Sequence, residues 1–179
     1  NGSKSGDEII KVNPSSTSAI FDADGNSISI TQSNNEVGIV RPFIISTSIA
    51  SDNSTISVTF SQSTFKNNDG TGILIESNFE LSIVGGTATI VSIPSSISIV
   101  GNVYTLGLVL NGTITGNETV TVNLSSAIYN DSSVSTTLIQ SNNTVKLHPI
   151  IVIKLYGPSS NGDYTMYVTG FATISPEIA

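Results

Sequence analysis

Oxygen-bearing side chains at alternate positions are what a calcium loop needs. The chain holds one such run, Asp22-Ala23-Asp24-Gly25-Asn26, in which the glycine permits a sharp bend. On that spacing Asp22, Asp24 and Asn26 are the candidate metal ligands and calcium the candidate ion. The run lacks the distal bidentate glutamate of an EF-hand, and Asp, Gly and Asn are equally the residues of a plain β-turn. Asn67-Asn68-Asp69-Gly70 offers one carboxylate and is the weaker candidate. Acid–base and nucleophilic chemistry find less. His148 is the single histidine and sits beside Pro149, with no identifiable nucleophile or orienting acid. Asp7 and Glu8 adjoin on an expected strand and so face opposite ways, which spoils them as a glycosidase pair. No catalytic residue is assigned, and the expected class is non-enzymatic. Asn-x-Ser/Thr sequons begin at Asn1, Asn53, Asn111, Asn117, Asn123, Asn130 and Asn142. About five would arise by chance in a chain this rich in Asn, Ser and Thr, so the sequons alone do not decide glycosylation.

The charge balance narrows the partners. Lys and Arg number 6 against 13 Asp and Glu, for a net charge of -7, and the six cations are scattered. A protein that grips phosphates needs a clustered positive field, so nucleic acid is excluded as an expected partner. The absence of cysteine removes disulfides, thiolate metal sites and a thiol nucleophile. Few lysines among many Ser, Thr and Asn suit an extracellular protein, displayed on a microbial cell surface or a virion surface. No signal peptide and no run of about 18 apolar residues occurs, so no membrane insertion is expected of this segment.

The elements that must position these residues are strands. Alternation with a period of two dominates, as in Thr55-Ile56-Ser57-Val58-Thr59-Phe60 and Thr119-Val120-Thr121-Val122-Asn123-Leu124. One face of each strand is thereby apolar and the other polar. No segment carries a sustained helical stripe. The expected strands of the central part are 43–49, 55–60, 78–84, 87–93, 97–100, 103–110, 118–124 and 134–147, the last open to splitting. Gly85-Gly86 predicts a tight hairpin between its neighbours, because primed turns need positive φ, and Asn111-Gly112 has the same chemistry. Short strands with turns every 8–12 residues predict an all-β, immunoglobulin-like Greek-key β-sandwich. With no Trp and no Cys, its core must rest on Val, Ile, Leu and Phe.

The chain also repeats itself. Residues 8–37 align with 118–145, skipping Thr17 and Ser18, with 13 identities in 28 positions, ending on Gln32-Ser33-Asn34-Asn35 and Gln140-Ser141-Asn142-Asn143. A period of about 108 residues is too long for a solenoid unit and suits a small β domain. Arg41-Pro42-Phe43-Ile44-Ile45 resembles Leu147-His148-Pro149-Ile150-Ile151 more weakly. The expected organisation is a tandem repeat with partial units at both ends: 1–40 as the last part of a preceding unit, 41–148 as a complete one, and 149–179 as a β-hairpin beginning another. Its strands are expected at 150–156 and 164–168, around Gly157-Pro158. The partial units expose strand edges, so neighbouring copies or domains are the expected partners.

Val58-Thr59-Phe60-Ser61, the run from Asn78 through Gly85-Gly86 to Ile90, Ser98 to Leu108, Ala127-Ile128-Tyr129 and the Gln-Ser-Asn-Asn endings carry a resemblance. They are similar to the bacterial-type immunoglobulin-like repeats of giant tandem-repeat surface proteins, adhesin-like or motility-associated, which also occur in some large viruses. The resemblance implies a structural extracellular module of a surface fibre, stalk or adhesin, spacing or assembling by end-to-end packing and β-strand pairing. Members often carry an acidic residue after Thr-Phe-Ser; this chain has Gln62 there, which weakens any cation site inherited at that point. Two other functions fit the same architecture. One is a carbohydrate- or receptor-binding module, calcium-assisted, for which Tyr104, Tyr129, Tyr156, Tyr164 and Tyr167 are the available aromatic residues. The other is a virion surface or spike component.

Overall fold

The computed structural model describes residues 4–149, 152–156 and 165–169. The first strands in chain order are β1 (Ile9–Lys11), β2 (Glu36–Gly38), β3 (Ile44–Ile49), β4 (Thr55–Phe60), β5 (Phe79–Val84) and β6 (Thr89–Ile90). There follow β7 (Ile97–Val100), β8 (Val103–Gly107), β9 (Leu110–Asn111), β10 (Thr119–Leu124), β11 (Thr144–Lys146), β12 (Val152–Tyr156) and β13 (Thr165–Thr169). Among the described residues the helical content is one 3-10 turn, Glu76–Asn78, so the chain is all-β, and no helix is long and apolar enough to cross a membrane.

Two sheets carry the core. One runs β3-β4-β8-β7 and the other β11-β10-β5, all antiparallel, with β6 and β9 as a short pair beside β5. Taken in chain order, that is the ABED and CFG arrangement of a constant-type immunoglobulin sandwich. The alternation read in the sequence is what closes it. In β4 and β10 every second residue is buried, placing Ile56, Val58 and Phe60 opposite Val120, Val122 and Leu124. Tyr104 on β8 does the work of the missing Trp: its ring meets Phe60 edge-on at 5.3 Å and reaches across to Phe79 of the other sheet at 6.0 Å. Its hydroxyl is satisfied inside by Thr64, with Oη–Oγ1 2.7 Å and a bond to the Thr64 carbonyl at 3.1 Å.

Several expectations need correction. Of 87–93 only Thr89–Ile90 is strand, and 103–110 breaks after Gly107, with Leu110–Asn111 pairing β6, so Asn111-Gly112 does not join a β9–β10 hairpin. Gly85 and Gly86 do take positive φ, 79° and 61°, but β5 ladders with β10 and touches the segment after β6 through one bond, Leu81 N to Ser92 O. The glycines serve a second need, since a Cβ on Gly85 would lie 2.5 Å from Asn117 O and one on Gly86 2.0 Å from Glu118 Oε1. The expected strand 134–147 is also shorter. Only Thr144–Lys146 is strand, because side-chain turns at Asn130 and Gln140 and a positive φ at Asn142 occupy the backbone before it.

In the C-terminal region β12 and β13 pair from Val152 opposite Thr169 to Tyr156 opposite Thr165, close to the expected strands of the hairpin. Its connection through Gly157-Pro158 lies outside the described residues.

Candidate functional site

Around the aspartate loop the carboxylate is already occupied. Asp22 Oδ1 accepts the amides of Asp24 at 3.0 Å and Asn26 at 2.8 Å, and Oδ2 accepts Asn26 Nδ2 at 3.0 Å. The Asn26 side chain, then the Asn26 backbone, hold the Asp22 carboxyl below its ordinary range. In the aligned segment Asn130 does the same with a neutral amide: Oδ1 accepts Ser132 N at 3.0 Å and Val134 N at 2.8 Å. A geometry that Asn and Asp fill alike is an Asx turn. Asp24 contributes its backbone amide to it, and among the described residues no three His, Cys, Asp or Glu side chains are grouped to hold a metal. Asp69 is likewise engaged by Thr71, through its amide at 3.0 Å and its hydroxyl.

The correspondence between the two segments runs bond for bond. Val12 N donates to Asn35 O at 3.0 Å as Val122 N does to Asn143 O at 2.8 Å, and the amides of Asn35 and Asn143 reach back to Val12 O and Val122 O. Ile28 N to Ile20 O matches Thr136 N to Ile128 O, and Ile39 N to Glu8 O matches Leu147 N to Glu118 O. Asn34 and Asn142 share φ 58°. The match begins earlier than the sequence alignment placed it. Ser5-Gly6-Asp7-Glu8 and Thr115-Gly116-Asn117-Glu118 form the same loop, with Gly6 at φ 82° and Gly116 at 83°, each glutamate turning back onto the preceding amides.

Glu118 is fully buried. It accepts Thr115 N at 3.0 Å, Gly116 N at 2.9 Å, Thr115 Oγ1 at 3.0 Å and Thr87 N at 3.2 Å. Burial works to raise its pKa, but the bonds from its own backbone, Thr115 and Thr87 together outweigh it and bring the carboxyl down to about 2. The Gln-Ser-Asn-Asn motif is also structural. Gln140 Oε1 accepts the amide of Ile44 at 2.9 Å and Asn142 O accepts Thr47 Oγ1 at 2.6 Å, tying β3 to the opposite sheet.

Polar side chains also grip the chain at the two ends of the 44–147 sandwich. At the first, Val40 O accepts Gln62 Nε2 at 3.0 Å and Asn130 Nδ2 at 3.2 Å, and Lys4 Nζ donates to Ser132 O at 2.6 Å. Arg41 pairs with Asp7 at 2.8 Å while packing on Gly6, where a Cβ would meet Arg41 Cγ at 2.1 Å. At the second, the buried Asn53, held at φ 59°, forms a two-way pair with the backbone of His148, Nδ2 to O and N to Oδ1 both 2.8 Å. Pro149 sits on Gly116 as Arg41 sits on Gly6, at 3.1 Å from a Cβ there. Gln62, which departs from the resembled pattern, is thus a linker ligand. In sequence Asn53 and Asn130 read only as turn residues and sequons; both side chains are buried and hydrogen-bonded in this role, which leaves no room for a glycan.

The other candidates are dispersed. His148 has an exposed side chain and contributes its backbone, and Tyr104 lies in the core, away from any aromatic platform. The side chains of Tyr156, Tyr164 and Tyr167 lie outside the described residues.

No protein-family model matches the chain, and no curated protein matches it. Among solved structures the chain is similar to the N-terminal part of the bacterial S-layer protein SbsC, at 18% identity and a TM-score of 0.42, over 70% of this chain and 32% of that one. The match therefore spans about a third of the length of that solved chain.

Proposed function

We propose that the chain is a non-enzymatic spacer module of an extracellular surface fibre, stalk or adhesin, in which sandwich units stack end to end. The observation that carries this reading is the clamped linker. Five residues separate β2 from β3, and within them Val40 and Arg41 are held from both sides by Gln62, Asn130 and Asp7. Each bond alone contributes little, an exposed ion pair about 0–1 kcal/mol. Several anchors on so short a connection nevertheless leave few relative orientations open, and a spacer has to resist bending. The polar Ser-, Thr- and Asn-rich composition and the net charge of -7 suit a rod that must stay apart from its neighbours.

Because the chain has no cysteine, two spin labels can be placed cleanly, at Ser16→Cys and Ser98→Cys, on exposed sites either side of the linker. A narrow distance distribution is expected, broadening when Gln62→Ala and Asn130→Ala are combined. A distribution already broad in the parent chain would overturn the spacer reading.

A further inference from the structure

We propose that the apolar face of residues 8–39 is a docking site for a complementary half-sandwich of the 44–111 kind, supplied by another copy of that segment. This rests on the repeat reading above and names the occupant. Residues 8–39 and 118–147 share one hydrogen-bond scheme, yet only the second is covered. Val122 and Ile128 are 0% exposed, while their counterparts Val12 and Ile20 are 68% and 52% exposed. With Pro14 and Ile28, Val12 and Ile20 line an open hollow. β10 lies between β11 and β5, whereas β1 pairs only β2 among the described residues, so its other edge offers a ladder to an incoming strand.

The covered copy states what fits. Strand β5 lays Leu81 opposite Val122 and Ile83 opposite Val120, and β4 and β8 add Val58, Phe60 and Leu106 over them. The same register would set a Leu81 opposite Val12 and an Ile83 opposite Ile10. Pro14 agrees with this edge. It stands where Leu124 stands, and because Ser125 N bonds Asn78 O, the antiparallel alternation leaves the Leu124 amide out of the β5 ladder. A proline there forfeits no bond to the incoming strand.

The test extends the chain, replacing only residues 1–4. A second copy of residues 41–114 is joined directly ahead of Ser5, the counterpart of Thr115, and amide hydrogen exchange is compared with that of the 179-residue chain. The amides of Val12, Ile28 and Ile39 are expected to slow by about 100-fold or more, towards those of Val122, Thr136 and Leu147. Val12→Asp in the extended chain should restore fast exchange. Unchanged exchange at these amides, with 44–147 still protected, would overturn the inference, as would protection already equal to that of Val122 in the parent chain. If the extended chain does not fold, Val12→Asp is compared with Val122→Asp in the parent chain by urea unfolding: little change for the first beside a large loss for the second supports an uncovered face, and equal losses overturn it. Spin-label distances separate the two readings: slowed exchange with a broad distribution keeps this inference and removes the rigid spacer, and the reverse removes this inference alone.

Discussion

Glu118 is the residue on which the end of the sandwich turns. Its carboxylate gathers the loop amides and fixes Thr87 beyond the Gly85-Gly86 turn, so the glycines and the acid form one device. Its folded pKa of about 2 lies below the ordinary 4.5, so its contribution is fully present above about pH 4.5 and is lost as pH falls from there towards 2. Glu118→Gln should cost about 2 kcal/mol at pH 7, and the gap to the parent should narrow on acidification across that window in pH-resolved denaturant melts. A gap independent of pH would remove the charge from the account. At Asp22 the opposite holds. Because Asn130 performs the same turn with an amide, Asp22→Asn should leave the melting temperature essentially unchanged, and chelator should leave melting unaltered. A calcium-dependent rise in melting temperature that Asp22→Asn abolishes would make the loop a metal site.

Strands behave according to what covers them. Val122→Ala, in the middle of buried β10, should cost about 2 kcal/mol, whereas Val12→Ala at the same place in the uncovered copy should be close to neutral. Equal costs in urea unfolding would mean that the two faces are not differently covered. The strands themselves were legible in the sequence because alternation is a local signal, and β4 and β10 fall within a residue of their expected bounds. The partner of β5 was not legible. Gly85-Gly86 reads locally as a hairpin, and only the approach of Asn117 and Glu118, more than thirty residues on, explains why the glycines are there. Residues 134–143 misled for a similar reason: their composition favours strand, but side-chain to backbone bonds from Asn130 to Val134 N and from Gln140 to Thr137 O claimed groups a ladder would need. The junction residues Asn53 and Asn130 were hidden because a buried asparagine that binds a linker carbonyl looks, in sequence, like any turn residue or sequon. The Ser5-to-Glu8 loop could have been found by carrying the alignment three positions upstream.

At the scale of the molecule, the 44–147 sandwich has its own core and a polar grip on the chain at each end, the first on Val40 and the second on His148. Those two residues occupy corresponding places, so a string of such units would hold every linker between the Asn53 of one unit and the Asn130 of the next. The spacer reading is tested most directly by small-angle X-ray scattering on head-to-tail concatemers of residues 41–148 with one, two and four copies. Clamped linkers predict that the longest dimension rises in direct proportion to copy number, with a cross-section that stays constant. Units joined by free linkers would instead grow roughly as the square root of copy number, and that scaling would contradict the account.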